Sequence, residues 1–251
     1  MVNVLCSYLR MPFELPPFRD SIRDETAGLD LLTPSMKQKK TTRPGEKNSA
    51  ERRQEFQVRL IAQEVLQRHW SKQASQQFWP NLAVNLAGAT LLDLQMNGAA
   101  VSTLDLQGAR LHGSANFYMA EILGPAIFTN CDIGFGTFVG TKFRGMARFD
   151  GALFRDFALF DTAEFVDPAF YRVHFESVIR LGGLPTLDSL SPDVPIFMDA
   201  TARLTEDAVR ELPAGWRIVP RNDGTQLGDI RSVSDENTEG QISTGSAGAE
   251  P

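Results

Sequence analysis

Histidine and cysteine are the residues of this sequence best suited to chemistry, and both are sparse. The chain contains 3 His and 2 Cys, too few for a Cys/His zinc module or a disulfide scaffold. His69 lies on the apolar edge of a predicted helix without a second His or Cys, which favours a buried, hydrogen-bonded imidazole over a metal ligand. His112 and His174 are far apart in the chain, and we interpret both as surface residues.

Other patterns that resemble functional sites have simpler explanations. GFGTFVG (134–140) is superficially similar to a dinucleotide-binding loop, but its third glycine is misplaced and no strand-then-helix unit surrounds it. Cys131 occupies a predicted interior position, where we expect an inert thiol. Interleaved charges predict a solvated mixed face containing Asp150, Asp156, Asp161, Glu164, Arg144, Arg148 and Arg155. We therefore predict no catalytic, cofactor-binding or metal-binding residue, and no cofactor.

Composition and charge limit the class of protein. The 251 residues are 42% hydrophobic and 22% charged, as in soluble globular chains. No apolar run reaches the length of about 18 residues that a bilayer span requires. The N-terminus lacks a secretory signal, and the low cysteine content is typical of a reducing cytoplasm. We predict a cytoplasmic protein, tethered to a membrane only if a longer form with an upstream membrane segment exists.

The charge is unevenly distributed along the chain. Residues 1–81 hold 13 Lys/Arg against 9 Asp/Glu, residues 82–178 hold 6 against 10, and residues 179–251 hold 6 against 12. The densest basic stretch, Lys37–Lys47, lies among Thr, Pro, Gly and Ser, which is typical of a solvated linker. A nucleic-acid interface needs clustered Lys and Arg on one folded face. We therefore expect no direct binding of nucleic acid.

The first eighty residues predict two helices joined by a linker. Residues 1–11 have apolar spacing typical of a helix fragment, either the end of a longer segment or a short docked helix. Residues 12–49 are read as a flexible basic linker. Residues 50–80 are predicted as an amphipathic capping helix that begins after Ser49 as N-cap. Its predicted apolar stripe comprises Val58, Ile61, Ala62, Val65, Leu66 and His69.

From residue 82 to residue 178 the sequence repeats every five residues. A large apolar residue forms the centre of each unit, and the residue two positions before it is usually small. The series needs four one-residue insertions to stay in phase. The 18 predicted centres are Leu86, Leu91, Met96, Val101, Leu106, Leu111, Phe117, Ile122, Ile127, Ile133, Phe138, Phe143, Phe149, Phe154, Phe160, Phe165, Phe170 and Phe175.

This spacing predicts an all-β solenoid with four sides. A chain that turns a corner every five residues returns over itself about every twenty, and each side supplies one large and one small residue to the interior. Stacked coils are separated by about 4.8 Å, so eighteen units form a rod of about four and a half coils. A Phe-rich β-sandwich would alternate with period two and would not keep the fives in phase.

The segments AGATLLDLQM, LQGARLHG, FDGALFRD and FDTAEFVDPAF resemble pentapeptide repeats of the A-(D/N)-L-x-x type. That family forms a right-handed quadrilateral β-helix, which the resemblance implies for residues 82–178. The flanking segments VLCSYLRMP and FQVRLIAQEVLQRHW are similar to those that precede the repeats in a group of actinobacterial members. Longer members of that group carry further helices, often membrane-spanning, before the first of these segments.

A solenoid must cover the open backbone and apolar surface at its two ends. We assign the helix within 50–80 to the N-terminal end and residues 179–222 to a C-terminal cap. Within that cap, Ile196 and Phe197 are predicted to form a short strand, and Thr205 to begin a short helix that ends before Pro213. Residues 223–251 are poor in apolar side chains and are predicted to be a disordered acidic tail.

Three function classes are compared on these grounds. Rigid faces without an identifiable nucleophile and base favour a non-enzymatic scaffold that binds another protein. The family resemblance implies an alternative, since some pentapeptide-repeat proteins mimic DNA and bind DNA gyrase or topoisomerase. The weakly negative repeats, with arginine among the acids, argue against that mimicry. No residue pattern identifies an enzymatic reaction. The sequence does not specify the partner, the oligomeric state or whether Met1 is the true start.

Overall fold

In a computed structural model, which describes residues 2–16, 44–71, 77–181, 196–204 and 210–233, the chain begins with two helices and continues as short strands. The helices are α1 (Val2–Leu9) and α2 (Pro44–Trp70). The strands of the repeat region are β1 (Ala83–Asn85), β2 (Thr90–Leu92), β3 (Ala100–Val101), β4 (Thr103–Asp105), β5 (Arg110–Asn116), β6 (Glu121–Ile122), β7 (Ala126–Ile127), β8 (Asp132–Thr137), β9 (Lys142–Arg148), β10 (Leu153–Phe154), β11 (Ala158–Leu159), β12 (Glu164–Tyr171) and β13 (His174–Phe175). The C-terminal strands are β14 (Ile179–Arg180), β15 (Phe197–Met198), β16 (Thr201–Arg203), β17 (Arg210–Glu211), β18 (Trp216–Pro220) and β19 (Leu227–Ser232).

The repeat strands stack in parallel and confirm the predicted β-solenoid of pentapeptide repeats. One sheet runs β1, β4, β7, β9, β12, β15, and the second runs from β2 through β5 and β8 to β13 and β16. Val84 pairs with Leu104, twenty residues on, and Leu104 pairs with Ala126, twenty-two residues on. Each coil therefore consumes about twenty-one residues, close to the four fives that the sequence predicts.

Large apolar side chains from the four sides fill the axis in four columns. Sixteen of the eighteen predicted centres are buried, and Phe165 is half-buried against Phe143, with its ring centroid 4.7 Å away. In a second column, Phe138 stacks between Phe117 and Phe160 at 4.8 and 4.5 Å, with the rings nearly parallel. Rings of different columns meet edge to face, an arrangement favoured by the aromatic quadrupole.

Ile127 is the predicted centre that the structure corrects. Ile127 is half-exposed, whereas Phe128 is fully buried and stacks on Phe149 with ring centroids 4.7 Å apart. The neighbouring small position shifts too, since Ala126 is buried and the predicted Pro125 is exposed. Pro125 with Ile127 and Ala126 with Phe128 both satisfy the pattern of a small residue two positions before a large apolar one. Phe128 occupies the axis because its larger side chain fills the column between Leu106 and Phe149.

The four corners of the coil are of two alternating kinds. At two of them every step between centres is five residues, and a residue with positive φ makes a tight turn. These left-handed residues are Gly88, Gly98, Gly108, Met119, Asn130, Gly140, Gly151, Thr162 and Arg172. The six-residue steps all lie at the other two corners, after Leu111, Ile122, Phe143 and Phe154. The insertion that the sequence predicts between the centres Ile127 and Ile133 therefore lies between the centres Ile122 and Phe128.

The N-terminal helices cover the first coil. α2 begins at Pro44, so it includes residues 44–49 of the predicted linker, and its start lies ahead of the predicted N-cap Ser49. Proline is favoured at the first helical position because its missing N–H has no helical partner there. Residues 17–43 and the linker charges among them lie outside the described residues. Neither described helix has an apolar stretch long enough to cross a membrane.

α2 turns an unexpected face toward the solenoid. The buried residues are Arg59, Ala62, Gln63, Leu66 and Trp70, whereas Val58 and Ile61 of the predicted stripe are exposed. The buried polar groups are satisfied by backbone. The Gln63 amide donates to Leu92 O at 2.9 Å and accepts from Leu92 N at 3.3 Å, as a neighbouring strand would. The helix thus closes the open edge of β2 with a side chain.

At the C-terminal end the parallel stack continues further than predicted. β15 pairs with β12, β16 with β13 and β17 with β14. Residues 205–209 lie outside the description, but Arg210–Glu211, the end of the predicted helix, is a strand. The antiparallel hairpin of β18 and β19 then closes the sheet against β16. β19 lies within the predicted disordered tail, which corrects the start of that segment.

Phe128→Ala and Ile127→Ala test the corrected register. Removal of the buried Phe128 ring leaves a cavity in the core, so we expect the free energy of unfolding to fall by about 3–5 kcal/mol. Ile127→Ala removes a half-exposed side chain and should cost about 1 kcal/mol or less. Urea denaturation of both variants measures the difference. An equal or larger loss for Ile127→Ala would contradict the register.

Thr162→Gly tests the strain at the tight corners. Thr162 has φ +54°, and a β-branched residue is strained in this region. Replacement by glycine should raise the free energy of unfolding by roughly 0.5–1 kcal/mol, since relief of strain exceeds the added chain entropy. The reciprocal control is Gly108→Ala, where the space beside Cα is open and only the backbone angle opposes the change. We expect a loss of about 1 kcal/mol there; a destabilised Thr162→Gly would refute the argument.

Candidate interaction surfaces

The three histidines lie at separate places. His112 is exposed within β5. His69 is half-buried at the end of α2, where its ring stacks on Trp79 with centroids 3.6 Å apart and its Nδ1 lies 2.6 Å from Gln77 O. The hydrogen-bonded ring matches the predicted role, although the burial is partial. Among the residues that the structure describes, no group of three or more His, Cys, Asp or Glu could hold a metal ion.

His174 is half-buried rather than a simple surface residue. Its Nδ1 lies 2.7 Å from Thr201 Oγ1 on the neighbouring β16. Burial lowers the pKa of His174, the charges of Arg203 and Arg221 lower it further, and Glu176 opposes the shift. Asp229, which pairs with Thr201 across the sheet, accepts hydrogen bonds from Arg221 and Arg231. The Asp229 carboxylate is therefore occupied by arginine. The contact between the His174 imidazole and the Thr201 hydroxyl joins β13 to β16 of the C-terminal cap.

The glycine-rich segment 134–140 is part of the solenoid. Gly136 lies inside the coil, where a Cβ would meet Phe138, Phe154 and Ile133 at 3.1–3.2 Å. The glycine is required by this crowding and not by a bound phosphate. Cys131 is also interior. Its Sγ donates to Leu106 O at 2.7 Å, and burial raises the pKa of Cys131 to about 12, so its thiol is inert at neutral pH.

The charges predicted to share one mixed face are divided between the two sheets, since Arg144 and Glu164 lie on β9 and β12 whereas Arg155 follows β10. Cross-coil ion pairs form on both. Glu164 is contacted by both Arg144 at 2.9 Å and Lys142 at 3.3 Å, and Arg144 also approaches Glu121 at 3.6 Å. Asp161 is paired with Arg180 at 3.0 Å. These pairs link residues of adjacent coils. Because the partners are partly exposed, each contributes little to stability, but together they hold the acidic side chains in fixed orientations.

One side of the solenoid carries outward aromatic residues that sequence reasoning did not identify as a surface. Phe135 of β8 and Phe157, which precedes β11, are half-buried and lie outside the core cluster. Their rings meet edge to face with centroids 5.2 Å apart. Arg155 lies two residues before Phe157 and donates two hydrogen bonds to Asp132, at 2.6 and 2.8 Å. We call Asp132, Phe135, Arg155 and Phe157 the phenylalanine face.

The phenylalanine face has the composition of a recognition surface. Aromatic residues and arginine are enriched at the centres of protein interfaces. Here they rise from adjacent coils, so the strands fix their spacing. The signal in the sequence is that Phe135 and Phe157 fall outside the two interior positions of the five-residue period.

The comparisons with known proteins agree with this geometry. Residues 106–153 match the family described as pentapeptide repeats (9 copies), which lies within the predicted repeat segment 82–178. No curated protein and no solved structure gave a significant match to the chain. The similarity of the flanking segments to actinobacterial members stays a prediction, because the family match lies inside the repeats.

Lowering the pH should loosen the C-terminal cap through His174. The lowered pKa of His174 means that the folded protein disfavours the protonated ring relative to the unfolded chain, in which the pKa is about 6.5. Its contribution to stability is therefore present above pH 6.5 or so and is lost as the pH falls below that value. We expect the unfolding free energy of His174→Asn to depend less on pH between about 7 and 5. Urea titrations of both proteins across this range measure it. Parallel pH profiles would contradict the assignment.

Proposed function

We propose, since the chain is a pentapeptide-repeat protein, that its solenoid is a non-enzymatic scaffold that presents a rigid face to another protein. The observation that carries the proposal is the phenylalanine face. It combines two half-buried aromatic rings, which retain some solvent exposure, with a bidentate arginine–carboxylate pair. Binding to such a face requires little ordering, because neighbouring coils already fix the side chains. Preorganisation of this kind lowers the entropic cost of association.

The core supports this proposal by making the face stiff. Phe138, Phe154 and Phe160, which are close to Phe135 and Phe157 in the chain, are fully buried in the core. Close-packed interiors resist deformation, so the outward side chains keep their relative positions when a partner binds. A partner with a complementary apolar patch and an acidic or amide group near Arg155 fits the chemistry of the face.

The gyrase alternative receives less support from the charges. A protein that mimics DNA must display regular negative charge without neutralising partners. In this solenoid Asp132 is bound by Arg155, Asp161 by Arg180 and Glu164 by Arg144. Cross-coil neutralisation of the acids disfavours a phosphate-like surface, and we do not propose it.

A double variant tests the proposal. Phe135→Ser with Phe157→Ser removes the aromatic rings from an outward position and should leave the solenoid folded, with parallel far-UV circular dichroism. We expect it to lose, by at least roughly tenfold in recovery, any protein that the wild type retains from a lysate of the source organism. The matched control is Leu123→Ser with Val166→Ser, two exposed apolar residues on the other sheet.

Retention by the wild type and the control, with loss by the double variant, would support the phenylalanine face. Equal recovery by all three proteins would show that binding occurs elsewhere. Failure of the wild type to retain any protein under native conditions would count against a scaffold role for this face.

A further inference from the structure

The two N-terminal helices leave an apolar groove on the side that faces away from the first coil. The groove has a volume of about 710 Å³ and is lined by Val4, Leu5 and Met11 from the α1 side and by Val58, Ile61 and Val65 from α2. Val4 is 70% exposed, Ile61 59%, Met11 54% and Val58 45%. Contiguous exposed apolar side chains of this kind mark interaction surfaces.

The groove exists because α2 uses its other face for the solenoid. Arg59, Gln63 and Trp70 point toward the coil and α1, and their polar atoms bond to backbone carbonyls. The apolar stripe at positions 58, 61 and 65 therefore faces away from the solenoid and is not part of the core. An amphipathic helix whose apolar stripe faces solvent is expected to have a further partner.

We infer that the occupant of this groove is the same groove of a second copy of the chain. On α2 the lining positions Val58, Ile61, Ala62 and Val65 are spaced three, one and three residues apart. That spacing is symmetric about its midpoint. A two-fold axis through the midpoint places α2 antiparallel to its copy, with Val58 opposite Val65 of the second copy. Isologous interfaces require this self-complementarity.

The rim of the groove also suits a second copy. The neighbouring exposed side chains on the same helical faces, Asn3, Ser7, Gln54 and Gln57, are uncharged. The charges on α2 beside the groove are paired within the chain, Glu64 with Arg68 and Glu55 with Arg59. Two copies can therefore approach without opposing like charges. Among the described side chains, the rim offers no cluster of charge that would attract a strongly charged peptide or an anionic lipid surface.

In this arrangement α1 and α2 of two copies form a four-helix interface. Val4, Leu5 and Tyr8 of α1, together with Met11 just after it, supply the second ridge of each groove. Paired helices pack in this way in short bundles. The contact is at the N-terminal end of the rod, so the phenylalanine faces of both copies stay exposed. The inference is therefore independent of the proposed function.

Sedimentation of the full chain tests the inference. We expect a concentration-dependent mass that approaches twice 27.8 kDa for the wild type. Ile61→Glu places a charge at the centre of the interface and should raise the dissociation constant at least roughly 30-fold. Because Ile61 is exposed in the single copy, the Ile61→Glu variant should unfold at the same temperature as the wild type when both are measured at low concentration. Leu123→Glu, on the solenoid, is the control and should keep the wild-type dissociation constant.

Cross-linking supplies a second measurement. Ile61→Cys places a thiol beside the proposed axis, whereas the native Cys6 and Cys131 are buried. Mild oxidation should yield a covalent dimer from Ile61→Cys and none from Leu123→Cys. A wild type that remains monomeric at all concentrations would overturn the inference, as would a dimer that is indifferent to Ile61→Glu. Occupation of the groove by a different protein in place of the copy would also overturn it.

Discussion

Stacking of one large side chain per wall on the axis is the constraint from which the rest of the structure follows. Phe149 lies between Phe128 and Phe170 with ring centroids 4.7 Å from each, which is the spacing of hydrogen-bonded strands. Ring stacking and backbone pairing therefore share one repeat distance. This agreement helps to fix the register, because a slip of one residue at Phe149 would place Arg148 or Asp150 on the axis. The outward positions are then free to vary, which is why ion pairs, aromatic rings and hydroxyls share the surface.

The five-residue period allowed the architecture to be predicted, since it reports directly on which side chains face the axis. It did not place Phe128, because Pro125–Ile127 and Ala126–Phe128 satisfy the same local pattern and only stacking in the column decides between them. The orientation of α2 was missed for a similar reason. Arg59 and Gln63 look like solvent-facing residues, yet they are buried against carbonyl groups of α1 and β2 that no local pattern reveals. β19 pairs with its hairpin partner β18 and with β16, which is more distant in the sequence. The phenylalanine face was not predicted for another reason. In a repeat rich in phenylalanine, the residue type alone does not distinguish an outward ring from a core ring.

The two ends of the rod solve the same problem with different means. At the first coil, a helix covers the apolar end, and the Gln63 amide bonds to the backbone of Leu92 in place of a strand. At the last coil, the direction of pairing changes from parallel to antiparallel, and Trp216 packs edge to face on Phe197 with centroids 4.9 Å apart. Open strand edges invite association with other chains. Both devices satisfy the edge within the chain, so contacts with other molecules are made by side chains.

The division of the corners into two kinds decides where this rod can be elaborated. The tight corners admit one backbone shape and no extra residue, whereas the other two already accommodate a sixth residue after Leu111, Ile122, Phe143 and Phe154. Peptides grafted into this architecture, whether by gene duplication or in the laboratory, will therefore be accepted along two opposite edges of the square and rejected along the other two. Two of the four edges of the solenoid are thus the positions at which new loops can be inserted at the regular spacing of the coils.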